Sequence, residues 1–492
     1  MAGPRIQTPA DEAGSSTLLA IGHVAGASVA SRFLRLLRTL VVVRLLAPEA
    51  YGIYAAVSVL LTYAQFLDLG SSTAAFRDLT AALGRGDARE AWRASSRMAT
   101  LKLAAALLLG GGSLVAAFAP GVSGPLRHGL IALPAMAVSS ALLSQALFHL
   151  QAQGRASEYG RVTAVAAASD LILCVGMTAA WSLPGLLAAA ALSPLLASLW
   201  AARRHALAPP RAVPLAVLGR YLRTGIPLAA LALLDQSLLS VGQLIVMAVL
   251  SLSDLGLYNV AFALAEAVRT LGVAAAAVLG PRLLREHARS GASLAAIRRH
   301  TLHPVLLYAN VLPLVVGSLW IAGSYALIRF YPAYAGALRP MQILLVATNF
   351  LVVLSGVTTF LFAIDKHPRN LLILTPVLCL NVAIDLVLLR LGWGLVAVAV
   401  GSLVTYFCYA CAVLWYVSGH FDMGRPARLE FLARALLPGI GLGLALGFVE
   451  RFFAYTGSFA ATVGTAVLVA LACAPLAWRG LALARRLDDP QS

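Results

Sequence analysis

The chain has 492 residues, of which 60% are hydrophobic and 12% charged, and it carries a formal net charge of +17. So apolar a composition excludes a string of ordinary soluble domains and makes lipid the solvent. A basic excess alone suits nucleic acid equally well, but here the arginines lie in short spacers between apolar runs, which is the membrane pattern and leaves no expectation of a nucleic-acid partner.

Residues 1–16 are polar. The apolar run that follows is longer than a signal-peptide core and lacks a small-residue cleavage site, so it is expected to be retained as the first transmembrane helix. Further apolar segments follow in chain order, giving spans at 17–43, 51–76, 98–119, 129–150, 160–181, 185–202, 221–250, 255–280, 301–324, 339–364, 370–389, 394–418, 432–450 and 458–480. Each is long enough, at about 1.5 Å per residue, to cross a hydrocarbon core. The connections are too short for a soluble catalytic domain. Tight turns are expected at Leu46 to Gly52, at Ser182-Leu183-Pro184-Gly185 and at Leu391-Gly392-Trp393-Gly394, where Pro and Gly supply the geometry.

Counting spans from a cytoplasmic N-terminus places about 27 of the 37 basic residues on the even-numbered connections and tails, Lys102 and Lys366 among them, and six on the opposite side. The positive-inside rule then puts both termini in the cytoplasm.

The sequence echoes itself. Leu46, Gly52 and Tyr54 match Leu250, Gly256 and Tyr258, and Gly185-Leu186-Leu187-Ala188 matches Gly394-Leu395-Val396-Ala397 at nearly the same offset. An offset of six spans preserves orientation, so the halves are parallel repeats. The expected fold is an all-α polytopic membrane protein of about 14 transmembrane helices. It comprises two parallel six-helix lobes related by a pseudo-two-fold axis along the membrane normal, plus two C-terminal helices. The expected limits are 1–205 for the N-lobe, 206–420 for the C-lobe and 421–492 for helices thirteen, fourteen and the tail.

An ionised side chain at bilayer depth costs about 2.5–3.5 kcal/mol on insertion scales, so each one inside a span should meet water, a partner or a ligand. The first span carries Arg32, Arg35 and Arg38 at three-residue spacing, a basic stripe about 9 Å long. Guanidinium groups so placed suit phosphate, to which each donates a forked pair of hydrogen bonds. The other reading is an interfacial stretch whose arginines reach the headgroups. Helix two holds Asp68, helix seven holds Asp235 beside Gln236, helix eight holds Glu266 and Arg269 three apart on one face, and Asp170 and Asp385 complete the intramembrane acids. Such carboxylates serve either ion coupling or structural pairing, and Asp235, Glu266 and Asp385 are the candidates for ion coupling or charge pairing.

The run Arg44-Leu45-Leu46-Ala47-Pro48-Glu49-Ala50-Tyr51-Gly52-Ile53-Tyr54, followed by Asp68-Leu69-Gly70 and Arg77, resembles the N-terminal signature of the oligosaccharide flippases of the multidrug/oligosaccharidyl-lipid/polysaccharide (MOP) exporter superfamily. The likeness continues through Ser253-Asp254-Leu255-Gly256-Leu257-Tyr258, Tyr331-Pro332-Ala333-Tyr334 and Arg390-Leu391-Gly392-Trp393. Lys366-His367-Pro368-Arg369 departs from it, replacing a glycine-containing turn. The resemblance implies an alternating-access transporter of a lipid-linked oligosaccharide in the bacterial inner membrane. Together with the intramembrane charges it leaves Arg32, Arg35, Arg38, Asp68, Arg77, Gln236 and Arg269 as substrate-binding candidates, with membrane lipids, a polysaccharide polymerase and glycosyltransferases as expected partners. A multidrug exporter and a peptidoglycan-precursor flippase of the same superfamily remain open. So does a membrane-embedded polysaccharide polymerase or ligase, although the sequence has no G-x-x-x-x-G-K-[ST], no H-E-x-x-H and no paired-carboxylate motif. No catalytic residue, metal or cofactor is expected.

Overall fold

A computed structural model describes residues 17–122, 124–289, 294–355 and 367–452, and a few single positions within 357–364 and 464–480. The fourteenth expected span and the Lys366 turn therefore lie largely outside the described residues.

The described residues are helical, with no strand among them. In chain order they form α1 (Thr17–Leu45), α2 (Pro48–Ala64), α3 (Ser71–Gly84), α4 (Ala88–Ala117), α5 (Gly124–Ala152), α6 (Ala156–Arg204) and α7 (Leu215–Val249). There follow α8 (Leu252–Arg289), α9 (Leu294–Phe330), a 3-10 turn at Pro332–Ala337, α10 (Leu338–Val353), α11 (His367–Arg390), α12 (Leu395–Ser418) and α13 (Arg425–Phe452). Nine of the described helical stretches are long and apolar enough to cross a membrane by length and composition. Large apolar side chains such as Leu107, Val115, Phe118 and Ile172 stay exposed along them, the face that lipid covers in a multi-pass membrane protein.

Local chemistry sets the helix ends. Pro48 occupies the first turn of α2 after an extended Ala47, where its missing N–H is no loss. Asp87 caps α4 by accepting from the Glu90 N–H at 3.0 Å. Ser251 and Asp254 cap α8 reciprocally: Ser251 Oγ donates to Asp254 at 2.6 Å, and the Asp254 N–H donates back at 3.1 Å. Asp254 thus belongs to the repeated Gly-x-Tyr entry for a mechanical reason.

α6 is two helices joined by a tight reversal. Ser182 has a non-helical backbone (φ 54°, ψ −133°), and Gly185 comes back so close to the Met177 carbonyl that no Cβ fits. Fifth and sixth spans are therefore separated where the Ser-Leu-Pro-Gly turn was expected. The expected second span, 51–76, is by contrast not one helix. It stops at Ala64, turns, and restarts at Ser71 after Gly70 in the left-handed region (φ 74°). A glycine is required there twice over, because a Cβ on Gly70 would collide with the Gly225 carbonyl of α7. Gly225→Val is expected to lower stability by about 1–3 kcal/mol through overpacking at this backbone crossing. Thermal unfolding of the purified protein measures it, and an unchanged midpoint would mean that the crossing yields.

The chain divides into two compact units, Met1–Ser237 and Leu238–Ser492. In the first, α3 and α4 pack through Ala74, Ala75, Ala82, Ala91 and Ala94 around Leu79, Met98 and Tyr221, small residues letting the backbones approach. Gly110 similarly faces Pro134 of α5, where a Cβ would lie about 3.0 Å from the ring. The segment after α6 is tied down: Thr100 of α4 donates to the Arg211 carbonyl at 2.6 Å and accepts from its N–H at 2.9 Å. Burial and the Arg155 charge hold His205, just past α6, below the ordinary imidazole range, against the pull of Glu158 3.3 Å away.

Candidate functional site

The basic stripe on α1 splits into members with different surroundings. Arg38 is sequestered inside the first unit: Nη1 donates to Tyr54 Oη at 2.7 Å and lies 3.4 Å from Asp170 Oδ2. The Asp170 carboxylate also accepts from Cys174 Sγ at 3.3 Å and from Ser193 Oγ at 3.4 Å. These groups come from α1, α2 and both halves of α6, so the pair binds the unit together. Arg35, one turn back, is exposed. It lies within electrostatic reach of Asp170, Arg38 and Arg32, and makes no hydrogen bond or ion pair among the described residues. Arg32 is half-buried beside it. The stripe therefore presents Arg35, while Arg38 is held by Asp170 and Tyr54.

Asp68 sits in the turn between α2 and α3 rather than within a helix. Its two oxygens accept from the Gly70 N–H at 2.9 Å and the Ser72 N–H at 3.3 Å, so it caps α3. Arg77 is exposed on α3, away from the α1 stripe in sequence and element. On α7, Asp235 is exposed and Gln236 half-buried, both in the first unit.

In the second unit Arg269 and Glu266 form the forked pair that their spacing predicts, Nε to Oε2 at 2.6 Å and Nη2 to Oε1 at 2.5 Å. Gln243 of α7 donates to Asn259 of α8 at 2.7 Å. Asp385 of α11 is fully buried. Its Oδ1 accepts from Asn381 at 3.3 Å, and its Oδ2 has no hydrogen-bond partner among the described residues; nor do Asn381 Oδ1 and Thr405 Oγ1. Gly401 of α12 lies so close that a Cβ would strike the carboxylate. An unpaired ionised carboxylate so placed costs several kcal/mol, which a proton or a cation relieves. Asp170 and Asp385 stand on the fifth and eleventh spans, six apart, like the two repeats. One faces a guanidinium, and the other has no cation within ion-pair distance among the described residues.

Lys102 lies midway along α4. A groove of about 850 Å³ lies in the second unit between α9, α13 and the residues Val469, Cys473, Leu476 and Arg479. Leu306, Leu437, Leu442, Leu446 and Val469 form its apolar walls, while Arg434, paired with Glu430, and Arg479 supply charge where α13 begins and the last described helical residues end.

With this geometry established, comparisons place the chain among known proteins. Residues 41–285 match the profile of a family described as polysaccharide biosynthesis protein. The fold is similar to that of the lipid II flippase MurJ in an inward closed conformation (TM-score 0.70, 15% identity, covering 93% of this chain and 99% of that one). It is also similar to an inward-facing multidrug resistance MATE family transporter of the MOP superfamily (TM-score 0.57, 13% identity, 85% and 100%). A third likeness is to a MOP superfamily transporter from Pyrococcus furiosus described as having a binding pocket of reverse polarity (TM-score 0.52, 14% identity, 85% and 97%). No curated relative matches the sequence. The protein is a polytopic membrane protein with the two-lobed MOP fold. The fold is thus the one these MOP superfamily transporters share, and the profile match over residues 41–285 agrees with the resemblance at the first hairpin.

Proposed function

We propose that the protein is a flippase that moves a polyprenyl-pyrophosphate-linked oligosaccharide from the cytoplasmic to the outer leaflet of a bacterial inner membrane by alternating access, for surface polysaccharide biosynthesis. The observation that carries this reading is Arg35: a guanidinium within an apolar helix, exposed, and without an ion-pair partner among the described residues. A fixed cation in such a place has a use when a phosphate oxyanion passes it. The apolar groove with arginines at one end adds support, because it suits a long isoprenoid tail bearing an anionic head. A carrier of organic cations would be poorly served by the same stripe.

On this reading both termini are cytoplasmic, and the arginine-bearing end of the groove faces the leaflet in which the substrate is made. Asp385 is the coupling carboxylate, taking up the coupling ion in one state and releasing it in the other. Glu266 and Asp235 are secondary candidates, Glu266 acting through its hold on Arg269. Lipid-linked peptidoglycan precursor uses the same kind of carrier, and the likeness to MurJ favours it as the second substrate reading.

Arg35→Ala is expected to cut export by about 10- to 100-fold, the loss of a charged hydrogen-bonded contact of about 1.5–3 kcal/mol. Lipid-linked glycan should accumulate in the inner leaflet while the protein still inserts. The identity of the accumulating lipid separates surface glycan from peptidoglycan precursor, and undiminished export would remove Arg35 from the site.

A further inference from the structure

Lys102 stands midway along α4, where the helix passes from its Arg89, Arg93 and Arg97 end into its apolar half, and a cation among apolar side chains is costly. It donates to Ser144 Oγ at 3.0 Å and lies 4.3 Å from the centre of the Phe148 ring. Among the described residues no carboxylate comes within ion-pair distance; the acid that acts on it from further off is Asp68. Asp68 in turn is committed to the Gly70 and Ser72 N–H groups at the start of α3. The cation is thus solvated by one hydroxyl and one ring face, with donor capacity left over.

That capacity opens on a cavity of about 310 Å³ between α2, α4 and α5, wholly within the first unit. Protein interiors are otherwise close-packed. This space persists because Ala105, Ala106, Ala137 and Ala141 line it with side chains too short to fill it. Ser140 and Ser144, one turn apart on α5, also line it. Ser144 Oγ already accepts from Lys102, so its own O–H is left to donate inward. Thr62, Gln65 and Asp68 line the cavity as well, and the Asp68 carboxylate is taken up by the Gly70 and Ser72 N–H groups, so the lysine and the two hydroxyls are the donors left to receive an oxyanion.

We propose that this cavity is a second anion site, separate from the α1 stripe, which holds a phosphate or carboxylate group through Lys102, Ser140 and Ser144. A lysine is a mobile point charge, whereas an arginine is a rigid fork, so the site binds an oxyanion without fixing its orientation and releases it readily. The flippase reading supplies one source for the anion, the transported lipid; a resident phospholipid headgroup is the other. The site itself rests on the cavity and Lys102.

The test uses the full chain in nanodiscs of neutral lipid, with Cys174, Cys379, Cys408, Cys411 and Cys473 replaced by alanine and Ala141→Cys as a reporter on the cavity wall. The rate of thiol labelling is followed with and without inorganic pyrophosphate. With the probe at about ten times its Kd, labelling is expected to slow by about ten-fold. Lys102→Met, which keeps the shape, should abolish that protection, whereas Lys102→Arg and Arg35→Ala should retain it. Nanodiscs containing phosphatidylglycerol distinguish the sources: protection there without pyrophosphate identifies a headgroup, and protection by pyrophosphate alone identifies a diphosphate ligand. No protection in the parent protein, or equal protection in Lys102→Met, overturns the proposal. Undiminished glycan export in cells lacking the protein would instead sink the flippase reading and leave the labelling result standing.

Discussion

Replacing Arg38 by alanine is expected to destabilise the first unit by about 3–5 kcal/mol, enough to deplete the protein from the membrane fraction. The reason is the company Asp170 would lose. Its carboxylate has the guanidinium at 3.4 Å, with a thiol and a hydroxyl as its other contacts. Tyr54 Oη, buried on α2, would lose its donor at 2.7 Å. Removing one partner of a buried pair leaves the other charge uncompensated, which costs more than the pair contributes. The double variant Arg38→Met/Asp170→Leu should accordingly be less damaged than Arg38→Ala alone, and Arg38→Lys should fall between, keeping charge and losing the fork. Thermal unfolding of the purified variants measures this order. If the double variant proves the worse one, Arg38 acts through something other than its hold on Asp170.

Asp385→Asn is expected to fold and to lose the dependence of transport on an ion gradient, a coupling of about 1–3 kcal/mol or 5- to 150-fold. The substitution is nearly isosteric. Asn381 donates to Asp385 Oδ1 at 3.3 Å and still finds an acceptor, and the close approach of Gly401 is undisturbed. What disappears is the capacity to change charge at a buried position where Asp385 Oδ2 and the neighbouring Asn381 Oδ1 have no hydrogen-bond partner among the described residues. The repeat supplies an internal control. Asp170 stands on the equivalent span of the first unit but already carries Arg38 as a tethered cation, so Asp170→Asn should weaken stability more than gradient dependence. Transport by Asp385→Asn that still follows the gradient would exclude Asp385 from coupling.

What the sequence made legible was whatever depends on spacing along one element. The helix order follows from apolar length, the Ser182 reversal from Ser-Leu-Pro-Gly, and the Glu266–Arg269 pair from a three-residue interval on α8. What it concealed depends on which distant elements meet. Asp68 reads as a mid-helix acid because the surrounding residues are apolar; only the left-handed Gly70, pressed against Gly225 far along the chain, shows that the helix stops there. Arg38 reads like Arg35, since nothing near it in sequence announces Asp170. Nothing near Lys102 in sequence announces the Ser144 hydroxyl and the Phe148 ring that it meets on α5, or the cavity beside them. One available signal was its identity, one of two lysines in a chain whose cations are otherwise arginines.

The claim on which the whole account turns is that a phosphate-bearing glycolipid crosses the bilayer past Arg35. Reconstitution in vesicles with a fluorescent polyprenyl-pyrophosphate oligosaccharide in the inner leaflet, scored by a membrane-impermeant quencher, tests it most directly. Transfer to the outer leaflet is expected well above that in protein-free vesicles and falls sharply in Arg35→Ala; transfer no faster than in protein-free vesicles, from a correctly folded wild-type protein, would contradict the claim.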